Sequence, residues 1–227
     1  MGEAFNWGWA KFTQNAGVII VAALIYLVII LVVEGIVYFL AIRPAFNVGC
    51  ETNAQGIVTS CSLGPGFFMG LVWYGLATFV YVVLFAFLQA GIIRGALSIA
   101  NGQRLELPTF FKTDNLGNVV IGAIIVGIAT FIGFLLCGVG ALVVALFTPF
   151  WIFFVVDKSM GGWDAVMASV RLVNKNLGSV IVLIIGVLIA YFIGALLCGV
   201  GLLVAAPVAL LALTFGYRRL QNEPIAA

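Results

Sequence analysis

Four cysteines and one carboxylate set in apolar sequence are the residues of this chain whose types could do chemistry. Two of the cysteines, Cys137 and Cys198, sit in the same string, LLCGVG, at 135–140 and again at 196–201. A thiol in a repeated string has three readings. It fills a turn as a small apolar residue, it bonds across to its counterpart if the Cα atoms come within about 7 Å, or it is a nucleophile. The chain has no histidine. That removes Cys-His dyads, Ser-His-Asp triads, His-dependent zinc sites and bis-His haem. No CxxC pair occurs either, which argues against zinc and iron–sulfur clusters. No metal and no cofactor is expected, and turn filling is the preferred reading of Cys137 and Cys198.

Cys50 and Cys61 are different. They lie in a polar, glycine-containing stretch between Arg43 and Gly66. A Cys50–Cys61 disulfide is expected there, closing a short loop and stabilising it by roughly 2–3 kcal/mol on the chain-entropy account. Glu34 is the acid inside an apolar run. A carboxylate within a membrane span is costly and is a functional candidate by default. It lies about 25 Å along its helix at 1.5 Å per residue, close to the far boundary. There it can reach water or pair with Arg43, and its role is either proton or cation handling or that of a boundary or packing residue, the second being preferred. Asp157, at the end of another apolar run, is expected to pair with Lys158 or to cap the next helical segment.

The elements that position these residues are membrane spans. The chain of 227 residues is 64% hydrophobic and 8% charged, against roughly 45–50% and 25% in soluble domains. Mean hydropathy is +1.27. The net charge of +2 is too small to argue for nucleic acid. A span needs about 20 apolar residues. Runs at 18–42 and 67–93 supply one span each, and longer runs at about 119–156 and 180–215 supply two each if they turn near their middles. Those middles are the CGVG strings, whose Gly138, Gly140, Gly199 and Gly201 supply the backbone freedom of a tight helical turn. The expected architecture is therefore all-α: a polytopic membrane protein of six transmembrane helices forming a single domain over 1–227, with an external loop at 43–66.

Charge sets the orientation. With both termini on one side, nine of the ten Lys and Arg residues share that side and only Arg43 lies opposite. The positive-inside rule makes the shared side cytoplasmic and the CGVG turns external, in a plasma membrane. The N-terminal MGEAFNWGWAKFTQNAG carries an acid and aromatics and does not read as a cleavable signal.

An internal repeat underlies the spans. Residues 115–145 and 176–206 match at 20 of 31 positions with an offset of 61. A weaker third copy opens the chain, pairing Glu3-Ala4 and Asn15-Ala16-Gly17 with Asp164-Ala165 and Asn176-Leu177-Gly178. The repeat units are about 1–95, 96–157 and 158–227. Each is a short amphipathic segment, an entry turn and a helical hairpin. Phe5, Trp9, Phe12 and Ala16 share one helical face, as do Val166, Val170 and Val173. Phe5, Trp7, Trp9, Phe12 and Trp163 are expected as anchors in the headgroup plane. Pro108 suits the first turn of a helix in the second unit. Ala129, Gly133 and Cys137, like Ala190, Gly194 and Cys198, form small-residue ladders that let helices approach closely.

The stretch PFWIFFVVDKSMGGWDAVMASVRLVNKNLGSVIVL resembles a pattern in uncharacterised bacterial multi-pass proteins. It has an aromatic-rich helix ending in Asp157, then Gly161 or Gly162, Asp164-Ala165, Ser169, Arg171 and Asn176-Leu177-Gly178. The ending GLLVAAPVALLALTFGYRRLQNEP resembles the exit of such proteins, particularly actinobacterial ones. Similar domains form the membrane portion of some glycerophosphodiester phosphodiesterases. The resemblance implies six helices and carries no activity, since no phosphodiesterase catalytic domain is present. The functional expectation is a non-enzymatic membrane protein working through helix packing. Its partners would be membrane lipids and other membrane proteins or its own copies, as an accessory subunit of an envelope or membrane complex. The alternative is an oligomeric transporter or channel with Glu34 at its mouth.

Overall fold

In the computed structural model, residues 2–39, 48–53, 55–56, 58–63, 67–112, 114–135, 138–197 and 201–226 are described. The chain is predominantly helical: α1 (Gly2–Val37), α2 (Phe67–Ala100), α3 (Leu116–Leu135), α4 (Val139–Phe147), α5 (Trp151–Lys158), α6 (Gly162–Lys175), α7 (Leu177–Leu196) and α8 (Leu202–Leu220). Among the described residues six helical stretches are long and apolar enough to cross a membrane, α4 and α5 together counting as one. In hydrocarbon a helix is the form that satisfies every backbone polar group within its own segment.

The stretch expected as an external loop at 43–66 contains an antiparallel ribbon, β1 (Val48–Thr52) and β2 (Val58–Leu63). Valine and threonine favour extended backbone there. Contacts divide the chain into two compact units. The smaller comprises 25–85 and holds the ribbon, and the larger comprises 1–24 and 86–227.

The larger unit is built on two hairpins whose helices match at the 61-residue offset: α3 with α7, each of 20 residues. Glycines bring the two arms of each hairpin together. Gly138 adopts φ +77° at the turn into α4, a backbone region that favours glycine. Below it, a Cβ built on Gly133 would stand 2.5 Å from the Gly140 carbonyl carbon. In the second hairpin a Cβ on Gly201 would stand 2.7 Å from the Gly194 oxygen. The small-residue ladder thus serves contact inside each hairpin, backbone against backbone.

Two helical boundaries differ from the sequence expectation. The first amphipathic segment is no separate helix, because α1 runs unbroken from Gly2 to Val37. Asn15 and Asn176 both donate from Nδ2 to the carbonyl four residues earlier, Lys11 and Leu172. Only at Asn176, with φ −134° and ψ 29°, does the chain turn before the next helix. Pro108 opens a five-residue 3₁₀ turn, Leu107–Phe111.

The second half of the third run, the fourth expected span, is also divided, at Thr148-Pro149-Phe150. Proline has no N–H and disfavours helical geometry in the residue before it. Ser169 of α6, fully buried, bridges the gap. Its hydroxyl accepts from the Phe150 N–H at 3.2 Å and donates to the Phe147 carbonyl at 3.0 Å. The second hairpin has leucine at the equivalent position, 210, and α8 runs unbroken.

Around this join lies the core. Phe153 stacks on Tyr217 at 5.0 Å and Phe154 meets the same ring edge-on at 5.2 Å, with Phe150 alongside. Val119, Val155, Val173, Val180, Leu183 and Ala212 complete it. Helix α6 turns Val166 and Val173 into this core, so the shared face packs on protein. Its first residue, Gly162, crosses α3 so closely that a Cβ would stand 2.6 Å from the Gly122 nitrogen.

Candidate functional site

The polar side chains of the larger unit gather where α2, α5 and α8 end. Arg218, in the last turn of α8, is 9% exposed. Its Nη2 donates to Asp157 Oδ1 at 2.9 Å and to Asn101 Oδ1 at 3.0 Å, and its Nη1 donates to Glu223 Oε2 at 2.5 Å. Tyr217 donates its hydroxyl to the other Asp157 oxygen at 3.2 Å. Lys158 spans Glu223 and Gln221 at 2.8 and 2.5 Å. Asp157 therefore pairs with Arg218 rather than with its neighbour Lys158. These two residues are separated by 61 positions, so they occupy equivalent places in the two hairpins with opposite charge.

Breaking such a pair leaves an uncompensated buried charge, which is why these groups act as structural clasps. Burial acts to raise the Glu223 carboxyl. The hydrogen bonds from Lys158 and Arg218 outweigh it and hold that carboxyl below its ordinary value. The end of the chain joins the clasp: the Ala226 N–H donates to the Ala100 carbonyl, and Trp7 Nε1 donates to the Ala226 carbonyl, both at 2.9 Å.

Beside the clasp is a cleft of about 270 Å³, lined by the last turns of α2, by Gln103, Arg104, Thr109 and Lys112 of the following segment, and by Val156 and Asp157. Two contacts fix the far wall. Arg94 donates from both terminal nitrogens to the carbonyls of Lys112 and Asp114. The buried Phe110 ring lies against Gly95, where a Cβ would stand 2.6 Å from it. The lining is polar and cationic, with Asp157 as its acid already held by Arg218. Such a surface is electrostatically suited to an anion. The two carboxylates of the clasp, Asp157 and Glu223, are spent on Arg218, which leaves them poorly placed to ligate a metal.

Apart from Asp157, Lys158 and Trp7, the residues singled out from sequence lie elsewhere. Cys50 and Cys61 face one another as Cα partners in the β1–β2 register. Cys137, Cys198 and Gly199 lie outside the described residues, as does Arg43, the counter-ion considered for Glu34. Glu34 itself is exposed on α1. Of the expected anchors, Trp9 and Trp163 are more than half exposed and Phe12 is buried. Phe5 packs on Gly186, and Trp7 packs on Phe215 at 5.6 Å between ring centres.

Sequence reasoning missed the clasp and the cleft, although one signal was present. Asp157 and Arg218 are opposite charges at equivalent repeat positions.

No family model matches the chain, and no solved structure does. It is 34% identical over 236 aligned positions to the uncharacterised protein Rv2560 of Mycobacterium tuberculosis, covering 99% of this chain and 70% of that protein. The uncharacterised protein Mb2590 of Mycobacterium bovis matches to the same extent. The likeness to the membrane portion of glycerophosphodiester phosphodiesterases is not shown by these relatives. An alignment at that identity over essentially all of this chain and more than two thirds of each relative shows common descent, and the protein belongs to the same family as these mycobacterial proteins.

Proposed function

We propose that this is a non-enzymatic, multi-pass protein of the bacterial plasma membrane that acts through its embedded surface. It packs against lipid and against other membrane proteins or further copies of itself, as an accessory subunit of a membrane or envelope complex. In this reading the six apolar stretches are six spans in three hairpin units, both termini are cytoplasmic and the CGVG turns face outward. The observation that carries it is the apolar exposure of the hairpins. Phe131, Phe134 and Leu135 of α3 are 65–69% exposed, and Phe192 and Leu196 of α7 are 66–67% exposed. Contiguous surface of that kind on a protein marks contact with lipid or a partner. Glu34 on α1 is a boundary residue in this account. A Cys50–Cys61 bridge belongs to it too, since directly opposed antiparallel positions hold their Cα atoms about 4.5–5.5 Å apart, within disulfide reach.

Extraction from the native membrane in polymer-bounded discs tests the proposal. Stoichiometric lipid or a second protein should travel with the chain, and non-reducing mass analysis should count two free thiols. Protein that partitions into the soluble fraction after carbonate washing, or that leaves the membrane with neither lipid nor partner, would refute it.

A further inference from the structure

We infer that the cleft beside the clasp binds the phosphate of an anionic glycerophospholipid, with Arg104 and Lys112 as the receiving cations. The inference rests on the membrane reading above and names a ligand for it.

Charge carries the argument first. Arg104 and Lys112 line the cleft, are exposed, and have no ion-pair partner among the described residues. The acids of the neighbourhood do not neutralise them. Asp157 is held by Arg218 at 2.9 Å, and neither Glu106 nor Asp114 of the same segment lines the cleft. Neutral donors accompany the cations. Asn101 and Gln103 each accept through the amide oxygen, from Arg218 and Ser98, which leaves both amide NH₂ groups to donate. Paired cations and neutral donors around a space of about 270 Å³ suit a phosphate headgroup better than a whole molecule, for which clefts of roughly 300–1,000 Å³ are usual.

The cleft is also built in advance. Arg94 grips the carbonyls of Lys112 and Asp114 and Phe110 is buried against α2. The segment bearing the cations is therefore held before any ligand arrives, which lowers the ordering cost of binding.

The ligand is a lipid rather than a free oxyanion because of what flanks those cations. Leu107 and Phe111, on the same 3₁₀ turn, are 38% and 37% exposed. Apolar side chains beside basic ones, at the level where a span ends, match the boundary between acyl chains and headgroups.

The test uses the full chain in nanodiscs of phosphatidylcholine with a titrated fraction of phosphatidylglycerol, and native mass spectrometry counts the retained anionic lipid. Removing a cation near an anionic surface weakens attraction about fivefold. The R104Q/K112Q variant should therefore retain phosphatidylglycerol roughly 30-fold less well. The charge-matched R171Q/K175Q variant, on α6, should retain it as the wild type does. Equal retention by wild type and R104Q/K112Q would overturn the inference. So would equal loss in both variants, which would mean diffuse surface attraction. Inorganic phosphate binding to lipid-stripped protein with the same dependence on Arg104 and Lys112 would assign the cleft to a free oxyanion and overturn the lipid assignment. Failure of wild-type protein to stay in pure phosphatidylcholine discs would overturn the membrane reading and this inference together. Stable insertion without selective lipid retention would overturn this one alone.

Discussion

Ser169→Ala is the substitution from which the architecture has most to lose for the fewest atoms. The serine is fully buried, and its hydroxyl closes the helix break left by Pro149 through bonds of 3.2 and 3.0 Å. Alanine keeps the Cβ and its packing, so the change isolates the hydroxyl. It orphans the Phe150 N–H and the Phe147 carbonyl, and each unsatisfied buried group costs about 1–3 kcal/mol. Hydrogen bonds between helices in membranes average nearer 0.6 kcal/mol, because the unfolded reference also finds partners. The expected loss is therefore about 2 kcal/mol. Unfolding in mixed micelles of rising dodecyl sulfate fraction, followed by tryptophan fluorescence, reads it directly. A double-mutant cycle with Pro149→Ala supplies the internal control. Alanine at 149 frees the chain to close the Phe150 N–H onto the Leu146 carbonyl, so Ser169→Ala should cost under about 1 kcal/mol in that background. A loss below about 0.5 kcal/mol in the otherwise wild-type chain would refute the reasoning. So would an equal loss in both backgrounds.

Three further outcomes are expected from the same geometry. Gly133→Ala should destabilise by about 1–3 kcal/mol, because its Cβ would stand 2.5 Å from the Gly140 backbone. Gly127→Ala on the same helix, with nothing within 4 Å of the added Cβ, should be neutral or gain up to about 1 kcal/mol from helix propensity. The ordering of the two melting temperatures decides it. Asp157→Asn should cost about 2–3 kcal/mol, less than full loss of a buried pair because Glu223 still reaches Arg218 at 2.5 Å; the charge exchange D157R/R218D should recover part of it in thermal melts. Glu223, held below its ordinary value by Lys158 and Arg218, stabilises the fold above the ordinary glutamate range. That contribution is lost as pH falls through the depressed folded value. The stability gap between wild type and Glu223→Gln should therefore be constant near pH 7 and close below about pH 4.5. A gap of the same size at pH 3 as at pH 7 would contradict the assignment.

Much of this fold is legible in the residues. Run lengths near twice a span pointed to hairpins turning near 137 and 197, and the 61-residue offset reappears as matched helices α3 and α7 with glycines at matched depths. Both signals are local and periodic, so they survive reading along a line. Pro149 is a local signal for its break that the span lengths passed over, and nothing along the line said that Ser169, 19 positions beyond Phe150, would close it. The amphipathic faces were legible as faces and not as destinations. Phe5 and Phe12 have the spacing of an interfacial helix, yet Phe5 lies on Gly186 and Phe12 is buried, because an aromatic face fits a helix groove as well as a membrane boundary.

By itself, then, the sequence determined class and internal repeat: too little polar surface for a soluble globule, helices of span length, and glycines at matched places in two copies. These depend on composition and spacing, which need no partner in space. Tertiary structure alone decided which charges meet. Asp157 chose Arg218 over the adjacent Lys158, Arg94 turned to the carbonyls of Lys112 and Asp114, and Arg104 and Lys112 were left lining an open cleft. Electrostatic energy falls with distance through the folded molecule and is blind to separation along the chain. A charge pair therefore becomes visible only when the hairpins that carry it are brought together.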